Sequence, residues 1–174
     1  MPVSFQLEIH ICYNKSMKWD LITNIILIAA LVTLAVFAGL GVYQWITRKS
    51  LKKVDKRLTF MLIPLAIMAV TYFVFDKFII LNVRPDGSNE PSFPSTHVMI
   101  VATIFLLVAM NLKTYIRQKP LQIVIYAIML ILLVLTCVGR VLANKHWISD
   151  VLGALAFSAI FTEIYYFIIK KWSK

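Results

Sequence analysis

Five long apolar segments dominate the sequence and constrain its fold more than any other feature. A membrane span needs about 20 mostly apolar residues at a rise of about 1.5 Å each. Only 15% of the 174 residues are charged and 60% are apolar, which excludes a soluble domain. We predict a single all-α domain over residues 1–174, a transmembrane helix bundle of about five spans. The predicted spans are Leu21 to Thr47, Leu58 to Phe75 with an apolar continuation to Val83, Thr96 to Leu112, Leu121 to Val138 and Ile148 to Ile169.

The first twenty residues are predicted to form an interfacial segment. Glu8, His10, Asn14 and Lys15 make a membrane span impossible there. A cleaved signal peptide is disfavoured, because the apolar run that follows is too long and lacks a small-residue cleavage site. Met17 offers an alternative start.

The basic residues predict the orientation in the membrane. The net charge of +10 could indicate a nucleic-acid binder, but these charges separate apolar runs instead of clustering on a soluble face. Six Lys and Arg lie in residues 48–57, three in 113–119 and three in 170–174, which makes twelve of eighteen on one side. Cytoplasmic loops carry this excess, so we expect an inner-membrane protein whose N-terminus and 82–95 and 139–147 loops face outward.

Cysteines and carboxylates indicate no cofactor. Cys12 and Cys137 lie far apart, which gives neither a disulfide framework nor a metal-ligand spacing. Asp86 and Glu90 share the outer loop, but a lone pair of loop carboxylates is usually just solvated. The sequence therefore predicts neither a metal nor a cofactor.

His146 and Asp150 lie four residues apart at the start of the last span. On a helix they share one face, so the carboxylate could hold Nδ1 of the imidazole and leave Nε2 as a nucleophile or a base. A buried histidine satisfied by an aspartate at a helix start gives the same spacing. The pair alone does not decide between a catalytic and a structural role.

Pro94, Ser95, Thr96 and His97 open the third span. Ser95 is a natural N-cap, and the free N–H groups of a helix start favour an anion. A plain capping sequence after a proline-rich loop would explain the serine equally well. It does not explain why a histidine enters the bilayer at the depth of His146.

Three cations, Lys77, Arg84 and Arg140, are expected to converge on the same layer. Arginine offers a planar fork for two oxygens, and lysine offers a point charge. Interfacial anchoring would account for Lys77 and Lys145 separately. It accounts poorly for two arginines beside two histidines and an aspartate. Together these residues predict a site for a multiply charged oxyanion such as phosphate.

These residues resemble the three-part signature of the type 2 phosphatidic acid phosphatase superfamily. Nine specified positions agree in order and spacing between residues 77 and 150. They are Lys77, Arg84-Pro85, Pro94-Ser95, His97, Arg140, His146 and Asp150. Thr96 stands where the family usually has Gly, and Gly139 stands where it usually has Ser, which removes a hydroxyl. The family's membrane members usually have six spans, one more than the five counted.

The resemblance implies a role for each matched residue. His146 would attack phosphorus to form a phosphohistidine, oriented by Asp150, and His97 would protonate the leaving oxygen. Lys77, Arg84, Ser95, Arg140 and the backbone of Thr96 would hold the phosphoryl oxygens without a metal. The site would lie on the extracytoplasmic side and act in lipid metabolism of the cell envelope.

The resemblance also limits the substrate to a phosphorylated lipid. Undecaprenyl diphosphate, phosphatidylglycerol phosphate, phosphatidic acid and lipid A 1-phosphate all remain open. A phosphotransferase would carry the same motifs. A non-enzymatic lipid binder or transporter ranks lower, because the sequence lacks repeated halves and polar midplane residues. No pattern indicates an oligomeric state.

Overall fold

The computed structural model describes the backbone of residues 3–172 and the side chains of residues 14 and 16–172. Within that range the chain forms six α-helices, and its only extended pairing is an isolated bridge between Val83 and Pro91. The helices are α1 (Val3–Arg48), α2 (Lys56–Phe60), α3 (Leu62–Lys77), α4 (Thr96–Tyr115), α5 (Lys119–Leu142) and α6 (Ile148–Trp172), with a short 3₁₀ helix at Leu51–Lys53. The predicted all-α transmembrane fold class is confirmed.

Five segments of the described chain are long and apolar enough to cross a membrane. Four are α1 from Ser16, α4, α5 and α6, and the fifth joins α2 and α3 across Lys56–Lys77. That joint lies at Met61, three residues before Pro64. Proline has no N–H to donate to the carbonyl four residues earlier, so the helix is interrupted there.

The predicted ends of the first two spans need correction. Residues 3–20 continue α1 without a break, so they are helical and not a separate segment; the side chains of residues 1–13, Cys12 among them, lie outside the described part. Their interfacial location stays a prediction. The expected apolar continuation from Phe75 to Val83 is wrong as a helix, because α3 ends at Lys77. Pro85 disfavours helical geometry at Arg84, and Val83 pairs with Pro91 instead.

Helix α4 is the centre of the bundle. It contacts α1, α3, α5 and α6, and most of its length is buried. Ile26 and Ala30 of α1 pack on one face of α4 against Ile104, and Ala154 of α6 packs on another against Val98. A helix surrounded on all sides is held mainly by apolar burial, so the start of α4 is a fixed point on which a site can be built.

The chain order brings four helix ends to one end of the bundle. Helices α3 and α5 end there, α4 and α6 begin there, and the 78–95 loop covers them. Eleven of the twelve basic residues of the three predicted cytoplasmic segments fall within the described part, and they lie at the other end. The predicted signature residues therefore share one end, opposite the basic loops.

Candidate active site

His146 lies in the tight turn between α5 and α6. Asn144 adopts a positive φ of 55°, and Lys145 N donates to Arg140 O at 3.2 Å, which folds the chain back after α5. Only 4% of the His146 side chain is exposed. The turn thus holds a buried imidazole at the meeting point of two helices.

The partner of His146 Nδ1 differs from the one predicted. Nδ1 lies 2.8 Å from the carbonyl oxygen of Ser92 but 3.8 Å from Asp150 Oδ2, which is too long for a hydrogen bond. A carbonyl accepts only, so Nδ1 carries the proton and Nε2 keeps its lone pair. This is the tautomer that we predicted, but the Ser92 carbonyl and not the Asp150 carboxylate accepts the hydrogen bond from Nδ1.

The charge of the His146 ring is set by its surroundings. Burial and then the Arg140 guanidinium lower the pKa of His146 to about 4, although the Ser92 carbonyl and Asp150 act in the opposite direction. The imidazole is therefore neutral at pH 7. A neutral ring with Nε2 unprotonated is the form that can attack an electrophile.

Asp150 ties three segments together instead of bonding directly to His146. The carboxylate is fully buried and accepts hydrogen bonds from Trp147 N at 2.9 Å and Asn82 Nδ2 at 3.2 Å. Its backbone oxygen accepts from Ser95 N at 3.1 Å. Asp150 thereby fixes the start of α6 against the outer loop and the start of α4, and it acts on His146 through its charge and not through a hydrogen bond.

The start of α4 presents Ser95, Thr96 and His97. Ser95 is the N-cap by position, but its hydroxyl makes no capping hydrogen bond, contrary to the predicted capping role. Thr96 is the first helical residue, so its N–H has no partner within the helix. His97 Nε2 lies 2.7 Å from Asn24 Oδ1 of α1. The helix start thus offers a hydroxyl, free N–H groups and an imidazole.

Both predicted phosphate-binding arginines are brought to this end, each beside a carboxylate. Arg140 Nη1 lies 2.6 Å from Asp20 Oδ1, and Arg84 Nη1 lies 2.6 Å from Glu90 Oε2. Asp20 and Asn24, about one helical turn apart on α1, contact Arg140 and His97, and the carbonyl of Pro85, next to Arg84, accepts from Asn144 in the turn that carries His146. The structure thus brings both arginines to the end of the bundle that carries the two histidines, and phosphate binding by them stays a prediction.

Four buried polar atoms at this end have no hydrogen-bond partner among the described residues. They are Arg84 Nε, Ser92 Oγ, Ser95 Oγ and Arg140 Nε. Each such atom costs about 1–3 kcal/mol when it stays unsatisfied, so folded proteins rarely retain them without a reason. Three of the four belong to predicted phosphate-binding residues. Two guanidinium donors and two hydroxyls fit an oxyanion with several acceptor oxygens.

The two lysines lie at the rim. Lys77 ends α3 with 62% of its side chain exposed, and its ammonium pairs with Asp76 at 2.8 Å. Within the described part, no ion pair joins Lys77 to a carboxylate next to Arg84, Arg140 or the histidines. Lys145 pairs with Asp86 at 2.8 Å. Burial raises the pKa of Asp86, but the stronger combined effect of Lys145 and Ser88 lowers it below its usual range.

Three residues of the site escaped the sequence analysis. Asp20 and Asn24 contact Arg140 and His97, and Ser92 holds His146. A signal existed for two of them: Asp20, Thr23 and Asn24 are polar residues on one helix face at the start of an apolar run. Ser92 acts through its carbonyl, which no side-chain pattern can indicate.

Gly139 has a packing reason that the sequence analysis did not foresee. A Cβ at this position would lie 2.6 Å from Thr23 Cγ2 and 3.3 Å from Trp19 Cε3. Helix α1 therefore occupies the space that a serine side chain would need. Glycine at this position lacks the serine hydroxyl that the family usually has, and it allows α1 to pack close to the site.

Carboxylates and imidazoles do not gather into a metal site. No group of three or more His, Cys, Asp or Glu is arranged to hold a metal ion within the part of the chain that is described. The positive charges around His146 belong to arginine side chains.

Comparison with known proteins agrees with this geometry. The sequence profile of the PAP2 superfamily matches residues 68–174, which is more than half of the chain. No curated protein matches the chain significantly in sequence. The crystal structure described as the first transmembrane PAP2-type phosphatidylglycerolphosphate phosphatase, from Bacillus subtilis, has the same fold. It aligns with a TM-score of 0.68 at 19% identity, over 98% of this chain and 89% of that one. The chain is therefore a membrane-embedded lipid phosphatase of the PAP2 superfamily.

Proposed function

We propose that this chain hydrolyses a phosphate monoester or diphosphate on a lipid head group at the outer face of the membrane, through a phosphohistidine at His146. The observation that carries the proposal is the set of four unpartnered donors at the end of the bundle that holds a neutral imidazole. They suit the oxygens of a phosphoryl group, and phosphoryl transfer depends mainly on positioning and on stabilising charge at those oxygens. Arginines and helix N–H groups supply that charge, so no metal ion is invoked.

In the first step Nε2 of His146 attacks phosphorus and the bond from phosphorus to the lipid oxygen breaks. His97 donates a proton to that oxygen, and the lipid leaves as an alcohol or as a monophosphate. The Nδ1–H of His146 stays bonded to the Ser92 carbonyl, which stabilises the charge that develops on the ring. Arg84, Ser95 and Arg140 hold the phosphoryl oxygens.

In the second step water attacks the phosphohistidine. The bond from nitrogen to phosphorus breaks, inorganic phosphate forms, and neutral His97 accepts the proton of the attacking water. His146 returns to its neutral form, which its buried surroundings favour. Each residue ends the cycle as it began, so no other reactant is required.

The position of the site favours a lipid over a soluble ester. It lies at the end of the apolar helices, where a head group can enter while its chains stay beside the bundle. The Bacillus subtilis protein of the same fold is named for phosphatidylglycerolphosphate, which makes that lipid the first to test. Undecaprenyl diphosphate, phosphatidic acid and lipid A 1-phosphate complete the panel.

The test is release of inorganic phosphate from each of the four lipids in detergent with EDTA present. His146→Ala tests the nucleophile. Lys113→Ala is the matched control, because Lys113 is exposed in the last turn of α4, at the opposite end of the bundle. We expect wild-type protein and the control to release phosphate, and His146→Ala to fall to background. The lipid with the highest kcat/KM names the substrate.

Two outcomes would contradict the proposal. Activity that EDTA abolishes and Mg²⁺ restores would rule out the metal-independent mechanism. Transfer of phosphate to a second lipid without release to water would identify a phosphotransferase on the same scaffold. Acid-labile labelling of wild-type protein by a ³²P-lipid, absent in His146→Ala, would identify the covalent intermediate.

A further inference from the structure

We propose that Asn24 of α1 is a positioning residue for His97, so that the first helix forms part of the active site. This inference rests on the proposed function. The sequence profile of the superfamily begins at residue 68, and α1 lies wholly before it. The contribution of α1 is therefore not part of the matched profile.

Three contacts fasten α1 to the site. Asp20 Oδ1 lies 2.6 Å from Arg140 Nη1, Thr23 Oγ1 lies 3.5 Å from the same nitrogen, and Asn24 Oδ1 lies 2.7 Å from His97 Nε2. The absence of a side chain at Gly139 lets Thr23 approach closely. Two independent features, an ion pair and a missing Cβ, thus hold Asn24 in register with His97.

The ion pair leaves Arg140 able to bind substrate. Asp20 occupies the Nη1 end of the guanidinium, whereas Nε, on its other edge, is one of the four unpartnered atoms. An arginine anchored through one edge presents the other in a fixed direction. Asp20 therefore orients Arg140 and leaves the Nε edge for the phosphate that the proposed function places there.

Asn24 determines which nitrogen of His97 exchanges a proton. The Asn24 carbonyl oxygen accepts from Nε2–H, so a proton remains on Nε2 throughout the cycle. Nδ1 then carries the second proton of the imidazolium, gives it to the leaving lipid oxygen and later takes one from water. Fixing the ring and its tautomer in this way keeps the acid ready for each step.

Three charged groups and the neighbouring imidazole act on the same ring. Asp20 lies on α1, Arg140 on α5, His146 in the α5–α6 turn and Arg84 in the outer loop. Asn24 is uncharged, so replacing it by an apolar residue removes the hydrogen bond and leaves these charges in place. Its replacement by aspartate adds one negative charge beside the imidazole, which favours the protonated form.

The test compares Asn24→Leu, Asn24→Asp and the control Thr33→Val in the phosphate-release assay. Thr33 is a polar residue of the same helix whose hydroxyl donates only to Ala29 O, at 2.8 Å. We expect Asn24→Leu to lower kcat about 10- to 100-fold, the equivalent of one hydrogen bond to a charged group, with KM within about twofold. Asn24→Asp should retain activity and move the alkaline limb of the pH profile upward. Thr33→Val should match wild type.

A double variant separates positioning from general loss of structure. If Asn24 acts through His97, adding Asn24→Leu to His97→Ala changes kcat by less than about twofold. An additive loss, an unchanged kcat in Asn24→Leu, or a rise in KM alone would overturn the inference. If Asn24→Leu does not fold, an unshifted pH profile in Asn24→Asp would overturn it. Wild-type protein without His146-dependent phosphate release would overturn the proposed function as well, whereas an active wild type with an unaffected Asn24→Leu overturns this inference alone.

Discussion

The two ends of the bundle bury polar side chains in opposite ways. At the end beside the basic loops, Asn111 Nδ2 donates to Tyr165 Oη at 2.6 Å, and Tyr165 Oη donates to Arg57 O at 3.0 Å. Tyr115 Oη donates to Asp55 Oδ2 at 3.2 Å, and Asp55 accepts from Arg57 N at 2.9 Å. All four unpartnered buried atoms among the described residues lie at the other end.

This contrast separates polar groups that hold the fold from polar groups that bind. The chain can satisfy buried donors and acceptors, since it does so wherever they only join helices. Ser158 illustrates this within the core, because its hydroxyl donates to Ala154 O at 2.8 Å and accepts from Thr103 Oγ1 at 3.1 Å. Unsatisfied donors at one end are therefore a cost that a bound oxyanion would offset.

The largest expected difference between the two ends is in catalysis. We expect His97→Ala to lower kcat by about 10² to 10⁴, because the leaving oxygen loses its proton donor. The matched change at the other end, Asn111→Ala, should leave kcat within about twofold in protein that remains folded. Phosphate release under saturating lipid measures both. Equal losses in the two variants would show that the ends do not differ in function.

A smaller loss of activity is expected when Arg140 is replaced by lysine, which keeps the positive charge but not the planar guanidinium. Arg140→Lys retains a cation beside Asp20 but removes the planar fork and its unpartnered Nε. We expect kcat/KM to fall about 10- to 100-fold, as for one charge-assisted hydrogen bond. Arg57→Lys at the opposite end, where the arginine donates to Thr114 Oγ1, is the control. Full activity in Arg140→Lys would mean that Arg140 acts only as a charge.

The pH dependence tests whether the site end keeps its nucleophile neutral. The pKa of His146 is lowered from about 6.5 to about 4, so the neutral form persists as pH falls and is lost only below about pH 4. We expect kcat/KM, which reports the free enzyme, to fall about tenfold per pH unit below that point. The lipid phosphate also ionises in this range, so its second pKa is measured by ³¹P NMR in the same micelles. The pH profile is then corrected for that ionisation of the substrate. An acidic limb of the enzyme near pH 6.5 would contradict the lowered pKa of His146.

The membrane-spanning elements could be predicted because their signal is local. Length and hydropathy placed three of the five spans to within a few residues of the helices found, and α6 begins at Ile148 as predicted. The helix boundary at Lys77 was missed because apolar residues continue to Leu81 outside the helix. Hydropathy indicates burial in the membrane or its interface, but it does not specify which backbone conformation a residue there adopts.

The site was predictable only where side chains carry the chemistry. The histidines and arginines lie at one end of the bundle, and their types and spacings had indicated an anion site there. The hydrogen bond from His146 to Ser92 depends on a loop carbonyl, and the contacts of Asn24 depend on how α1 packs across α4 and α5. Both arise from tertiary packing, which the order of residues along the chain does not reveal.

The smallest expected change in activity comes with a measurable change in stability. Tyr165→Phe keeps the ring that packs beside Met61 and Leu107, but removes the hydroxyl between Asn111 and Arg57. The unsatisfied Asn111 amide should lower the free energy of unfolding by about 1–3 kcal/mol. Tyr166→Phe, one residue further and exposed, is the matched control and should change neither property. Thermal unfolding in detergent and phosphate release well below the transition measure the two effects. A lower kcat in folded Tyr165→Phe would mean that the closed network also serves the reaction, and the division between the two ends would fail.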